Sequence, residues 1–246
     1  MITTPGLTAC LNGARLPREH PALPVTPAEL ARAAAGAVAA GARDVHLHVK
    51  DGAGRDVLDA GPLAAVLDAV RAAVPGVPVG VTTGAWAAAD PAARVAAVRS
   101  WTALPDLASV NWHERGADAV AAALLERGVG VEAGLWDDAG LAAWAASPLR
   151  EGCARVLVEL PGGVDAARTE AEADRLLARV TAVAPGLPVL LHGEATSAWT
   201  LLRHAGRRGL ATRVGLEDVL HLPDGTPAAD SATLVAAALD LLRAGA

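Results

Sequence analysis

The chain has 246 residues, of which 52% are hydrophobic and 20% charged, with a formal net charge of −6. This is ample apolar material for a large α/β core, and it excludes global disorder. An anionic chain whose longest basic run is Arg207-Arg208 lacks the footprint of a nucleic-acid binder. Two cysteines, Cys10 and Cys153, make no CxxC motif or disulfide framework. With no secretory leader and no uninterrupted apolar span, these features predict a cytoplasmic protein without membrane attachment.

Apolar, β-branched runs fall at roughly residues 6–11, 44–50, 77–83, 107–112, 129–135, 155–160, 188–193 and 211–217. An Ala/Leu-rich stretch of helical period follows each. The repeat averages about 29 residues, the length of a βα unit. Thr26-Pro27-Ala28-Glu29 forms a capping box with proline at the first helical position. Asp90, Asp165 and Asp230 are further expected N-caps. "VPGVPV" (Val74–Val79) and "APGLPV" (Ala184–Val189) are near copies that stop a helix and turn the chain into a strand. Eight such units predict one (β/α)₈ TIM barrel spanning residues 1–246. The rival, an open doubly wound sheet, calls for a G-x-G-x-x-G loop, which "ACLNGAR" does not supply.

A barrel of this kind carries its active site at the C-terminal ends of the strands. Polar and ionisable residues collect there: Asn12, His46, His48, Lys50, Thr82, Thr83, Asn111, His113, Glu132, Glu159, His192, Glu194, Arg213, Glu217 and Asp218. His46 and His48 share one face of the second strand, since side chains alternate along a strand. Neutral imidazoles on an inward face are good ligands for a divalent metal. Glu217, on another even-numbered strand, is a third candidate ligand, with His113 and His192 as alternatives. A metal-bound Glu217 followed by a free Asp218 divides ligand and base between two neighbouring carboxylates. Lys50 is the only lysine in the chain, read first as an anion anchor and second as an imine-forming nucleophile. Glu132 and Glu159, acids in apolar runs, need a partner or a metal. "KDGAGRD" and "LPDGTP" have the spacing of turns and lack that of calcium loops.

As an ordered set, "TACLNGAR", "AGARDVHLHVKDGAGR", "VTTG" and "RVGLED" resemble the β-keto acid cleavage enzymes, a group that includes the 3-keto-5-aminohexanoate cleavage enzyme. The resemblance implies a zinc-dependent (or other divalent-metal) barrel. Its reaction would convert a β-keto acid and acetyl-CoA into acetoacetate and a new CoA thioester, an acyl transfer ending in a retro-Claisen cleavage. It implies His46, His48 and Glu217 as metal ligands and Asp218 as general base. Arg213 and Thr82 would support that base, and Glu132 would lie near the metal. Asn12, Arg15, Lys50, Thr83 and Asn111 are then the expected substrate contacts, and a homo-oligomer, such as a tetramer, is expected. Lys50 stands where the family motif HxHxR carries arginine, and Thr82 replaces a serine. Arg15 occupies the place of an acid suited to a substrate amine, so a neutral or anionic substrate is expected. The competing expectations are a Schiff-base aldolase acting through Lys50 and a non-catalytic ligand-binding barrel.

Overall fold

The computed structural model describes residues 6–162 and 165–245. Eight parallel strands, β1 Leu7–Cys10, β2 Asp44–Leu47, β3 Val79–Thr82, β4 Leu107–Asn111, β5 Gly130–Leu135, β6 Arg155–Leu160, β7 Val189–Gly193 and β8 Thr212–Val214, alternate with eight α-helices. The helices are α1 Pro27–Ala40, α2 Ala60–Ala73, α3 Pro91–Ser100, α4 Ala117–Glu126, α5 Asp138–Ala146, α6 Ala166–Val183, α7 Ala198–Arg208 and α8 Ser231–Ala244. The sheet runs β7-β6-β5-β4-β3-β2-β1-β8. A parallel bridge between Leu190 and Ala211 joins its two ends, and the Leu191 amide donates to the Ala211 carbonyl at 2.9 Å. The sheet is therefore a (β/α)₈ barrel, as its βα alternation predicts.

Local chemistry starts the helices where expected. The Thr26 hydroxyl accepts from the Glu29 amide while the Glu29 carboxylate accepts from the Thr26 amide, closing the capping box of α1. Asp90, Asp165 and Asp230 each accept from the amide three residues on. Apolar stripes on the helices then pack on the barrel: α2 buries Leu63, Val66, Leu67 and Val70. Each such side chain contributes about 1.5–3 kcal/mol relative to exposure.

Two strands, β2 and β8, end three residues sooner than their apolar runs suggest. β2 stops at Leu47, yet the alternation persists, and the His46 and His48 rings lie 5.5 Å apart between centroids. β8 stops at Val214 because Gly215 presses against β1: a Cβ there would lie 1.8 Å from the Cys10 carbonyl oxygen. The chain then turns tightly, with the Asp218 and Val219 amides both donating to the Gly215 carbonyl. That turn carries Glu217 across the mouth of β1. Gly13, at φ +57, leaves room for it, since a Cβ there would meet the Glu217 side chain at 2.4 Å.

Candidate metal centre and catalytic cavity

A cavity of about 340 Å³ opens at the C-terminal ends of the strands. His46, His48, Thr82, Trp86, Asn111, Glu159, Glu194, Arg213 and Glu217 line it, together with Arg15, Glu19, Ser109 and Trp136. Within it, one donor atom from each of His46, His48 and Glu217 lies within 4.8 Å of the other two. Nε2 of His46 is 4.0 Å from Oε2 of Glu217, and Nε2 of His48 is 3.7 Å from Oε1. These gaps are too long for hydrogen bonds. Glu217 Oε2 is buried without a hydrogen-bond partner, which is costly unless something else occupies that place. Two imidazoles and a carboxylate around a shared space fit a borderline divalent cation such as zinc, with positions left open for water or substrate.

The neighbours of this triad set its charge. Arg213 donates to Glu217 at 2.9 Å and to Asp218 at 3.0 Å, while its Nε also meets Nδ1 of His192 at 3.1 Å. Although burial opposes ionisation, Arg213 and the two imidazoles hold the Glu217 carboxyl well below the usual carboxylate range. Burial dominates at His46 and lowers it to about 4. At His48 burial acts in the same direction, but the Glu217 and Asp56 carboxylates outweigh it and raise the imidazole to about 9. On the far wall, Glu159 lies 3.3 Å from Nε2 of His192. Burial, reinforced by the nearby Glu159 charge, raises Glu194 to about 8.

Of the residues expected here, His46, His48, Glu217, Arg213, Thr82, Arg15 and Asn111 line the cavity. Asp218 lies behind them, fully buried, with Oδ1 on Arg213 and Oδ2 without a hydrogen-bond partner. Glu132 sits beneath His46, with Oε2 4.0 Å from Nδ1, and is held by Arg155. Three expected substrate contacts have their polar groups engaged elsewhere. Asn12 is buried, accepts from the His48 amide at 2.8 Å and donates to the His48 carbonyl at 2.9 Å, so it clamps the ligand strand. The Thr83 hydroxyl donates to the Ser109 carbonyl. Lys50 is buried, with its ammonium 2.6 Å from Asp56 Oδ1, which removes the geometric basis for an imine or a substrate anchor. Arg15 reaches the cavity, but its guanidinium donates to the Leu216 and Glu217 carbonyls and to Glu19. It therefore braces the Glu217 turn from the edge of the cavity.

Sequence reasoning missed Asp56, Trp86, Glu19 and Ser109. Asp56 had one visible signal, an acid placed across the "KDGAGRD" turn from the lone lysine. Trp86 had none, because its position over His48 depends on the loop after β3.

Comparison with known proteins supports the same assignment. Over 79 residues the chain is 38% identical to a 3-keto-5-aminohexanoate cleavage enzyme of Fusobacterium nucleatum, covering 32% of this chain and 29% of that enzyme. Similar folds include ObcA in binary complex with oxaloacetate (TM-score 0.70, 18% identity, 89% of this chain and 63% of that one). ObcA in ternary complex with a C4-CoA adduct and oxalate gives a TM-score of 0.72 at 18% identity, over 91% of this chain and 64% of that one. A type I 3-dehydroquinate dehydratase from Clostridium difficile gives 0.65 at 11% identity, over 99% of this chain and 94% of that one. At such identities these structures attest the barrel alone, and the chain spans less than two thirds of the ObcA chains. A family model, described as beta-keto acid cleavage enzyme, matches residues 6–245. Nearly the whole barrel, with its HxH strand and late Glu-Asp pair, is thus accounted for, and the chain belongs to the β-keto acid cleavage enzyme family.

Proposed function

We propose that this protein is a zinc-dependent β-keto acid cleavage enzyme that converts a β-keto acid and acetyl-CoA into acetoacetate and a new acyl-CoA. The observation that carries the proposal is the convergence of His46, His48 and Glu217 in the cavity, with the Arg213–Asp218 pair beside them. His46, His48 and Glu217 would hold a divalent cation, which would supply Lewis-acid polarisation of the keto oxygen. Asp218, charge-paired on one oxygen and free on the other, takes the proton from the carbon between keto and carboxylate groups. That carbon attacks the acetyl thioester and expels the CoA thiolate. The thiolate adds to the original keto carbon, the bond between the two carbons breaks, and the departing carbon takes a proton back. Arg213, buried among carboxylates, opposes the negative charge that develops beside it. The Thr82 hydroxyl, which accepts from the Gly84 amide, is free to donate its own proton toward the cavity.

A cavity of about 340 Å³ suits a short keto acid and the acetyl end of its partner, with the body of CoA outside the mouth. Glu19 is paired with Arg15 and Glu159 with His192, and Glu194 keeps its proton to about 8, so the wall presents little free charge and suits an uncharged tail.

Glu194 supports a second assignment of the base, since it lines the cavity and holds its proton to about 8, close to the working range of a general base. The test is a panel of β-keto acids assayed with acetyl-CoA for acetoacetate, with protein stripped of metal or reloaded with zinc. Turnover that depends on zinc is expected. Turnover undiminished in the stripped protein, or none with any keto acid, overturns the proposal. Comparing Asp218→Asn with Glu194→Gln decides which carboxylate is the base.

A further inference from the structure

The turn after β2 brings back a carboxylate that the reaction above does not use. Asp51 Oδ1 accepts from the Ala53 and Arg55 amides, at 2.8 and 3.0 Å, and the Asp51 amide donates to the Arg55 carbonyl. This tight local structure folds the chain so that Asp56 lies antiparallel to Lys50 and its side chain is almost wholly buried. Both Asp56 oxygens are then engaged. Oδ2 lies 2.6 Å from Nδ1 of His48, and Oδ1 lies 2.6 Å from the Lys50 ammonium. Oδ2 also accepts from the indole Nε1 of Trp86 at 2.8 Å. Trp86, the one large hydrophobic side chain exposed among the described residues (51%), lies over the His48 ring at a 21° interplanar angle.

We propose that Asp56 is the positioning residue of the metal centre. By accepting from Nδ1–H it fixes the orientation and tautomer of His48, leaving Nε2, which faces Glu217, as the nitrogen that would take a cation. Lys50 is its buried counter-charge, which lets a second carboxylate stand behind the site without adding net negative charge there. Trp86 caps the same oxygen and shields it from water at the cavity mouth. Had Lys50–Asp56 served folding alone, one carboxylate oxygen would suffice. The second oxygen on His48 ties the pair to the ligand.

The inference rests on the metal-site part of the proposed function and is independent of the substrate. Metal-stripped wild type, Asp56→Asn and the doubly neutral Asp56→Asn/Lys50→Met are compared for zinc affinity by chelator competition at pH 9.5, where a proton on His48 no longer competes with the metal. The double variant leaves no unpaired buried charge, so it remains a fair test if the single one fails to fold. A folded variant is expected to bind zinc about 10- to 100-fold more weakly than wild type. In histidine-labelled protein, the His48 Nδ1–H proton, held strongly by a carboxylate in wild type, is expected to lose its downfield shift. A folded double variant that binds zinc within about threefold of wild type overturns the inference. So does a wild type that binds no zinc. Wild type that binds zinc yet turns over no keto acid overturns the substrate reading alone, and the affinity ratio then still decides the role of Asp56.

Discussion

Proton competition at His48 gives the sharpest test of the metal centre. In the metal-free site the imidazole keeps its proton up to about pH 9, because the Glu217 and Asp56 carboxylates outweigh the burial that opposes it. A cation binds only the unprotonated nitrogen, so uptake must displace that proton. At pH 7, two units below, only about one site in a hundred has the nitrogen free. The apparent affinity is then about 100-fold below its limit, a cost of roughly 3 kcal/mol. Zinc affinity should therefore rise about tenfold per pH unit up to pH 9 and flatten above it. His46, lowered to about 4, adds no further proton above pH 5. Chelator competition from pH 6 to 9.5, with calorimetry in buffers of different ionisation enthalpy, measures the slope and the proton released. An affinity independent of pH between 7 and 8.5, with no proton release, would refute the charge balance deduced for the site.

Other outcomes follow from the same geometry. His46→Ala should cost at least about 100-fold in zinc affinity while moving metal-free stability by less than about 2 kcal/mol, because Nδ1 makes no hydrogen bond to lose; chelator competition and chemical denaturation check the two halves. Asp218→Asn should keep the metal content of wild type and lose at least about 100-fold in turnover, a typical share for a general base; a full rate would move that role to Glu194. Glu194 holds its proton to about 8 in the folded chain against an ordinary 4.5, so its contribution to stability is lost as pH rises through that interval. Glu194→Gln should abolish that loss, on the order of 2 kcal/mol after solvent screening, in denaturation curves at pH 5 and pH 8.5. Gly215→Ala should destabilise by about 3 kcal/mol or more, since the new methyl would lie 1.8 Å from a β1 carbonyl oxygen that cannot withdraw.

Sequence alone determined the features that depend on short spans of chain. Capping at Thr26, Asp90, Asp165 and Asp230, the βα alternation and the shared face of His46 and His48 follow from local hydrogen bonding and the two-residue period of a strand. The same alternation, repeated eight times, was enough to predict a barrel. Where polar side chains spend their hydrogen bonds was decided only by tertiary structure. Lys50, read as an anion anchor, is consumed by Asp56, because a buried charge must take the nearest partner packing supplies, while Arg15 at the cavity edge braces the turn holding Glu217. Thr83 and Asn12 are likewise committed to backbone groups of neighbouring strands. The "HLHVK" stretch shows the division most clearly. Its histidine pair was visible from parity, but its lysine acquired meaning only when a turn returned Asp56 between that lysine and His48.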